Sequence, residues 1–189
     1  ASAIRPFENH KAWREQVHRH LAATLGMLVL LLAVLAARKR RHGITQIAVA
    51  SLLVAAAIPL YMHGEHVAAS ALALLGEVIL LFAALRWSNV DLSRVSALTL
   101  AVIIFQALLG MWTVTLLLKP IVVMGHLLGG LLTFSLLAWV ALRLAQRSPP
   151  TPRQLQLKPL VVFALVVLVL QIALGGWTSA NYAALACGL

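Results

Sequence analysis

VHRHLAATLGMLVLLLAVLAARKRR, from Val17 to Arg41, is the stretch that decides the fold. From Leu21 to Ala37 it carries no charged side chain, and it closes on four basic residues, Arg38-Lys39-Arg40-Arg41. A helix of roughly 20 apolar residues spans the hydrocarbon core of a bilayer. Only a helix or a closed barrel satisfies the backbone there. A short basic cluster at the end of such a segment marks a cytoplasmic loop. The stretch therefore reads as a membrane-crossing helix whose second end lies inside.

The remainder of the chain repeats this pattern. Further apolar segments run from Ile44 to Met62, with Pro59 near the end, from about Val67 to Leu85, and from Val95 to Leu118. A fifth starts just after Pro120 and ends near Leu144, and a sixth covers Leu160 to about Ala180. Pro120 suits a first helical turn, where its missing N–H is not needed. Apolar residues make up 62% of the 189 positions and charged residues 11%, with a mean hydropathy of +0.96. A soluble domain carries a larger charged fraction. The expected fold is an all-α membrane protein, a polytopic helical bundle of about six transmembrane helices, with no room for a separate soluble domain. The linker from Gln146 to Lys158 holds Pro149, Pro150 and Pro152 and cannot be helical throughout.

A net charge of +10 invites a nucleic-acid reading, and the distribution rejects it. The basic residues cluster between apolar runs, at Arg38 to Arg41, at Arg86 and Arg94, and at Arg143, Arg147, Arg153 and Lys158. Such clusters set topology, and contact with anionic membrane lipids follows from them. With Arg38 inside, the segments alternate consistently and both ends of the chain fall on the outer side. Cys187 is the one cysteine, so no disulfide closes within this chain. Without an initiator Met or a signal-peptide pattern, and stopping in a loop, the sequence reads as a piece of a longer protein.

Two histidines lie where ionisable groups are costly. His18 opens the first apolar segment, three residues after Glu15, and His126 sits in the second turn of the fifth. Both segments enter from the outer side, so the imidazoles reach similar depth. That is what bis-axial ligation of a heme iron requires. From position alone, an interfacial His18 and a hydrogen-bonded, packed His126 are the plainer reading. Gly26, two turns below His18, and Gly129-Gly130, one turn below His126, leave space for a macrocycle. The pattern Q-x-x-L-G-x-W-T occurs twice, from Gln106 to Thr113 and from Gln171 to Thr178. Its glycines suit close helix packing in lipid and equally suit a flat ligand held between helices.

The residues around these positions carry a resemblance. They are Glu15-Gln-Val-His18-Arg19, Phe105-Gln-Ala-Leu-Leu-Gly-Met-Trp-Thr-Val-Thr115, Val122-Val-Met-Gly-His126-Leu-Leu-Gly-Gly130 and the run Leu170 to Cys187. In this order they resemble the proteobacterial heme A synthase family. The resemblance implies two similar four-helix units in the bacterial inner membrane, each with a histidine pair. One pair holds a heme b cofactor, and the other binds the substrate heme O, whose methyl group is oxidised to the formyl group of heme A for cytochrome oxidase assembly. His18 and His126 match the axial pair of the substrate site, and Glu15 matches that unit's functional glutamate. Arg19 is assigned a propionate contact. Cys187 matches the first member of an outer-loop disulfide whose partner would lie beyond Leu189. Heme O synthase and an unidentified electron donor are the implied partners.

By the same resemblance, residues 1–145 form the first heme-handling unit, without its first helix and with an extra helical hairpin at about 44–93. Residues 146–158 are a cytoplasmic linker, and 159–189 supply the first helix and outer loop of a second unit. The heme b site then falls outside this chain, and the chain alone is expected to be inactive. Within the hairpin, His63-Gly-Glu65-His66 resembles a metal-binding turn, against the plainer reading of a solvated loop. Glu77 in the third segment is either a helix-pairing or a proton-handling residue. Two rivals remain. A bis-histidine electron-transfer cytochrome has no use for Glu15, and a non-heme transporter or scaffold would gather its charges near the midplane.

Overall fold

The computed structural model describes residues 9–88, 90–115, 119–145 and 152–181, and among them every regular element is a helix. These are α1 (Asn9–Ala37), α2 (Gly43–Met62), α3 (His66–Arg86), α4 (Ser93–Thr115), α5 (Pro120–Leu144), the short α6 (Pro152–Gln156) and α7 (Lys158–Ala180). Six of them are long and apolar enough to cross a membrane. The chain is a polytopic membrane bundle.

The segment boundaries shift at two places. α1 starts at Asn9, so His18 lies well inside the helix instead of opening it. The lead-in from Lys11 to Gln16 contains no Gly or Pro to interrupt it. α7 starts at Lys158 with Pro159 in its first turn, and part of the proline-rich linker forms α6. Pro120 is likewise the first residue of α5, with Lys119 at the N-cap position and no side-chain cap.

α4 is the hub, packing against α1, α3 and α5. α2 and α3 form an antiparallel hairpin, and α7 leans on α5. Small residues set these distances, because helices in lipid gain from close van der Waals approach and not from burying oil. Ala50 and Ala57 of α2 face Ala69, Ala73 and Gly76 of α3, where a Cβ on Gly76 would stand 2.8 Å from the Ala50 carbonyl. Val29, Ala33, Ile47, Leu80, Ala83, Ala97 and Ala101 close the shared core of α1 to α4.

The α1–α2 turn is equally tight. A Cβ on Gly43 would fall 2.4 Å from the Ala37 carbonyl, and His42 is held at φ 58. That left-handed conformation is uncommon outside glycine. Arg40 of this turn reaches across the bundle, donating to Ser93 Oγ at 2.9 Å, the Ser88 carbonyl at 3.0 Å and Asp91 Oδ1 at 2.8 Å. Partial burial opposes ionisation of Asp91. The Ser93 hydroxyl, the Arg40 guanidinium and the Ser93 N–H outweigh it and bring the carboxyl from 3.8 down to about 2. One residue of the basic run thus locks the α1–α2 turn onto the α3–α4 loop.

Candidate functional site

The end of the bundle opposite the Arg38–Arg41 cluster brings together residues from helices that meet little elsewhere. α1 and α5 both pack on α4, and across it the rings of His18 and His126 stand with centroids 6.4 Å apart, at 87° to one another. Two imidazoles sharing a metal at about 2 Å from each nitrogen have centroids about 6 Å apart. The spacing therefore fits a pair of axial ligands. His18 is exposed and His126 half-buried.

α4 shapes the pocket for His126. A Cβ on Gly110 would lie 3.1 Å from His126 Cε1, so the absent side chain is what lets the imidazole seat against the helix. His126 Nδ1 is sealed from solvent without a formed hydrogen bond. The Gln106 main-chain carbonyl is placed to act on it, short of full hydrogen-bond geometry. A ligating histidine ordinarily donates its second ring N–H to such a carbonyl, which fixes the tautomer that leaves Nε2 for the metal. A buried Nδ1 beside a carbonyl thus suits a histidine that would ligate through Nε2.

The Gln106 side chain is buried and occupies the notch at Gly129, where a Cβ would coincide with its amide. Its Nε2 reaches the Gly125 carbonyl at 3.5 Å, one residue before His126. Gly129 therefore makes room for Gln106 and not for a ligand. Gly130 faces open space, and Gly26 would meet only Ile103 at 3.8 Å. Neither is filled by a neighbouring side chain as Gly129 is. Of the two readings of Q-x-x-L-G-x-W-T, the α4 copy supports a third: its glycine receives a histidine.

Glu15 and Arg19 lie one turn apart on α1 and pair with each other at 2.6 Å, both exposed. The guanidinium expected to meet a propionate is here on the neighbouring carboxylate. Cys187 lies outside the described residues. His20 bonds through Nδ1 to the Gln16 carbonyl at 2.7 Å and takes no part in the pair.

The remaining polar positions stand apart. His63, Glu65 and His66 are exposed on the α2–α3 turn, with the His66 ring 4.6 Å from that of Tyr61 and tilted to it by 56°. Among the described residues no group of three His, Cys, Asp or Glu side chains is arranged to hold a metal ion. Glu77 Oε2 is buried within α3 without a hydrogen-bond partner. Gln106 and Gly110 were visible in the sequence as members of the repeated Q-x-x-L-G-x-W-T pattern, but their position against His126 needed the α4–α5 contact to emerge.

Fold and site together define a polytopic membrane bundle in which two imidazoles from separate helices stand 6.4 Å apart, centroid to centroid. The chain belongs to the COX15-CtaA family of cytochrome oxidase assembly proteins, whose model matches residues 56–189. It is also 39% identical over 183 residues to the heme A synthase of Shewanella oneidensis, a match covering 95% of this chain. The chain spans 40% of that relative's length. No solved structure matches it.

Proposed function

We propose that this chain is the substrate-handling part of a heme A synthase, the membrane oxidoreductase that converts a methyl group of heme O into the formyl group of heme A. One observation carries the reading: His18 and His126, far apart in sequence, stand 6.4 Å apart at one end of the bundle. The family match and the name of the Shewanella relative agree with it.

His18 and His126 take the iron of heme O from its two faces, with Gly110 and the Gln106 carbonyl holding His126 in register. Glu15, one turn from His18, sits beside the position of the oxidised carbon or supports proton movement there. Arg19 exchanges its partner Glu15 for a heme propionate when substrate enters. The conversion removes electrons and adds an oxygen atom, so oxidant and oxygen source come from outside these residues. A heme b cofactor belongs to a second unit beyond this chain, residues 146–158 form the linker to it, and 159–189 begin it. Cys187 pairs with a cysteine past Leu189. Heme O synthase delivers the substrate, and a separate donor handles the electrons. The protein sits in the bacterial inner membrane with the His18 end and both chain ends outside.

The test is the longer protein that contains this chain, co-expressed with heme O synthase, as wild type and as Glu15→Gln. Pigment is extracted and identified by chromatography. Glu15→Gln is expected to keep bound heme O and to lose heme A. A variant that still makes heme A at the wild-type level overturns the role of Glu15. A wild type that binds heme but never converts it turns the protein into an electron-transfer cytochrome.

A further inference from the structure

At the opposite, basic end of the bundle, α2 and α3 part to leave a lipid-facing groove of about 480 Å³. His42, Thr45 and Gln46 line its head, and Val49, Val78 and Phe82 wall the part that runs toward the bilayer interior. From His42 to Val49 the helix rises about 10 Å. The groove is thus polar where headgroups lie and apolar where acyl chains begin. The Gln46 side-chain oxygen is buried there with no hydrogen-bond partner. Arg86 lies over the ring of Phe82, a residue of the groove wall, 4.5 Å from its centroid.

Charge selects the occupant. Of the four carboxylate side chains among the described residues, Asp91 alone lies at this end, and Arg40 takes it. Arg38, Lys39, Arg41, Arg86 and Arg94 surround the same end with no carboxylate left among the described residues to meet them. Basic pockets between membrane helices recruit anionic headgroups, and an arginine stacked on an aromatic ring keeps its N–H groups for a phosphate. The turn supporting the head of the groove is also held firmly. His42 sits in the left-handed region, and Gly43 packs against the Ala37 carbonyl.

We propose that the α2–α3 hairpin binds one anionic diacyl phospholipid of the membrane leaflet at its basic end. The phosphate meets His42 and Arg86, the Gln46 amide turns its oxygen toward a headgroup hydroxyl, and one acyl chain lies along Val49, Val78 and Phe82. The inference stands apart from the heme reading, since it uses none of the residues at the His18–His126 end.

The test is native mass spectrometry of the full-length protein, delipidated in detergent and offered phosphatidylglycerol or phosphatidylcholine with identical acyl chains. Wild type is expected to retain one phosphatidylglycerol several-fold better than phosphatidylcholine. His42→Gln with Arg86→Gln brings retention down by about fivefold or more. Val49→Trp fills the groove while leaving every charge in place, and it is expected to abolish the retained lipid. Circular dichroism confirms that each variant is folded. Should Val49→Trp not fold, Val78→Trp on the facing wall makes the same test. Equal retention of the two lipids overturns the site. Undiminished phosphatidylglycerol binding in the tryptophan variant does so as well, because the charges then act diffusely.

Discussion

α4 and α7 carry the same Q-x-x-L-G-x-W-T pattern and meet opposite fates. On α4, Gln106 fills the Gly129 notch and Gly110 receives the ring of His126. On α7, Gly175 has no atom within 4 Å of a notional Cβ, and Gln171, Leu174 and Thr178 line an outward groove with it. The contact α7 does make uses the next residue, Gly176, against Met124 and Leu127 of α5. Among the described residues no side chain of α7 is buried. The pattern therefore supplies a notch, and the helix that packs on it decides what the notch holds. In lipid this is expected, because small residues permit approach without selecting a partner.

The largest effect expected from this difference is at the paired glycines. Gly110→Leu should push the His126 ring off α4 and weaken heme binding by about tenfold or more, as loss of ligand support typically does. Gly110→Ala asks the ring to give by only a few tenths of an ångström and should be milder. Gly175→Leu in the 189-residue chain should leave stability within about 0.5 kcal/mol of wild type. Heme titration and denaturant unfolding in detergent measure both. Equal damage at the two positions would erase the distinction between the helices.

Next come the two notches that α5 takes part in. Gly129→Ala sets a methyl on the Gln106 amide and should cost about 1–3 kcal/mol, most of it recovered when Gln106→Ala is added. A double-mutant cycle reads that coupling directly. Gly176→Leu collides with Met124 Sδ and Leu127 and should cost a similar amount, about 1–3 kcal/mol, by prising α7 from α5. A cysteine cross-link between α5 and α7 would form more slowly in that variant.

The smallest effect concerns the end remote from the histidines. Arg40→Gln should cost about 1 kcal/mol, since its ion pair with Asp91 is partly solvated. The Asp91 carboxyl is lowered in the folded protein, from 3.8 to about 2. Its contribution is therefore fully present above about pH 4 and lost as pH falls toward 2. Unfolding measured across that window should slope for wild type and flatten in Arg40→Gln.

The six spans were legible because an unbroken run such as Val161 to Leu170 has one stable form in a bilayer. Pro120 marked its helix start to within a residue. The amphipathic lead-in of α1 was missed as helix because Lys11, Arg14 and Glu15 end the apolar run well before any breaker ends the backbone. At the site, the histidines could be matched by depth, which follows from counting turns. Gly129 could not be assigned, because counting along α5 says nothing of the side chain that α4 sends across. Arg40 is a further case. The charge pattern places it in a loop, whereas its three partners come from a loop some fifty positions away. Glu15 and His18 also lie ahead of the family match at residues 56–189, so the role proposed for Glu15 rests on the local motif and that for His18 on the motif and the ring geometry.

The most direct measurement is the visible absorption spectrum of the detergent-purified protein, as wild type, His18→Ala and His126→Ala, from a host that makes heme O. The expected result is a low-spin bis-histidine signal in wild type, weakened or lost in either variant while helical content stays unchanged. A folded wild type without bound heme, or a signal indifferent to both substitutions, would contradict the assignment of these two histidines as a ligand pair.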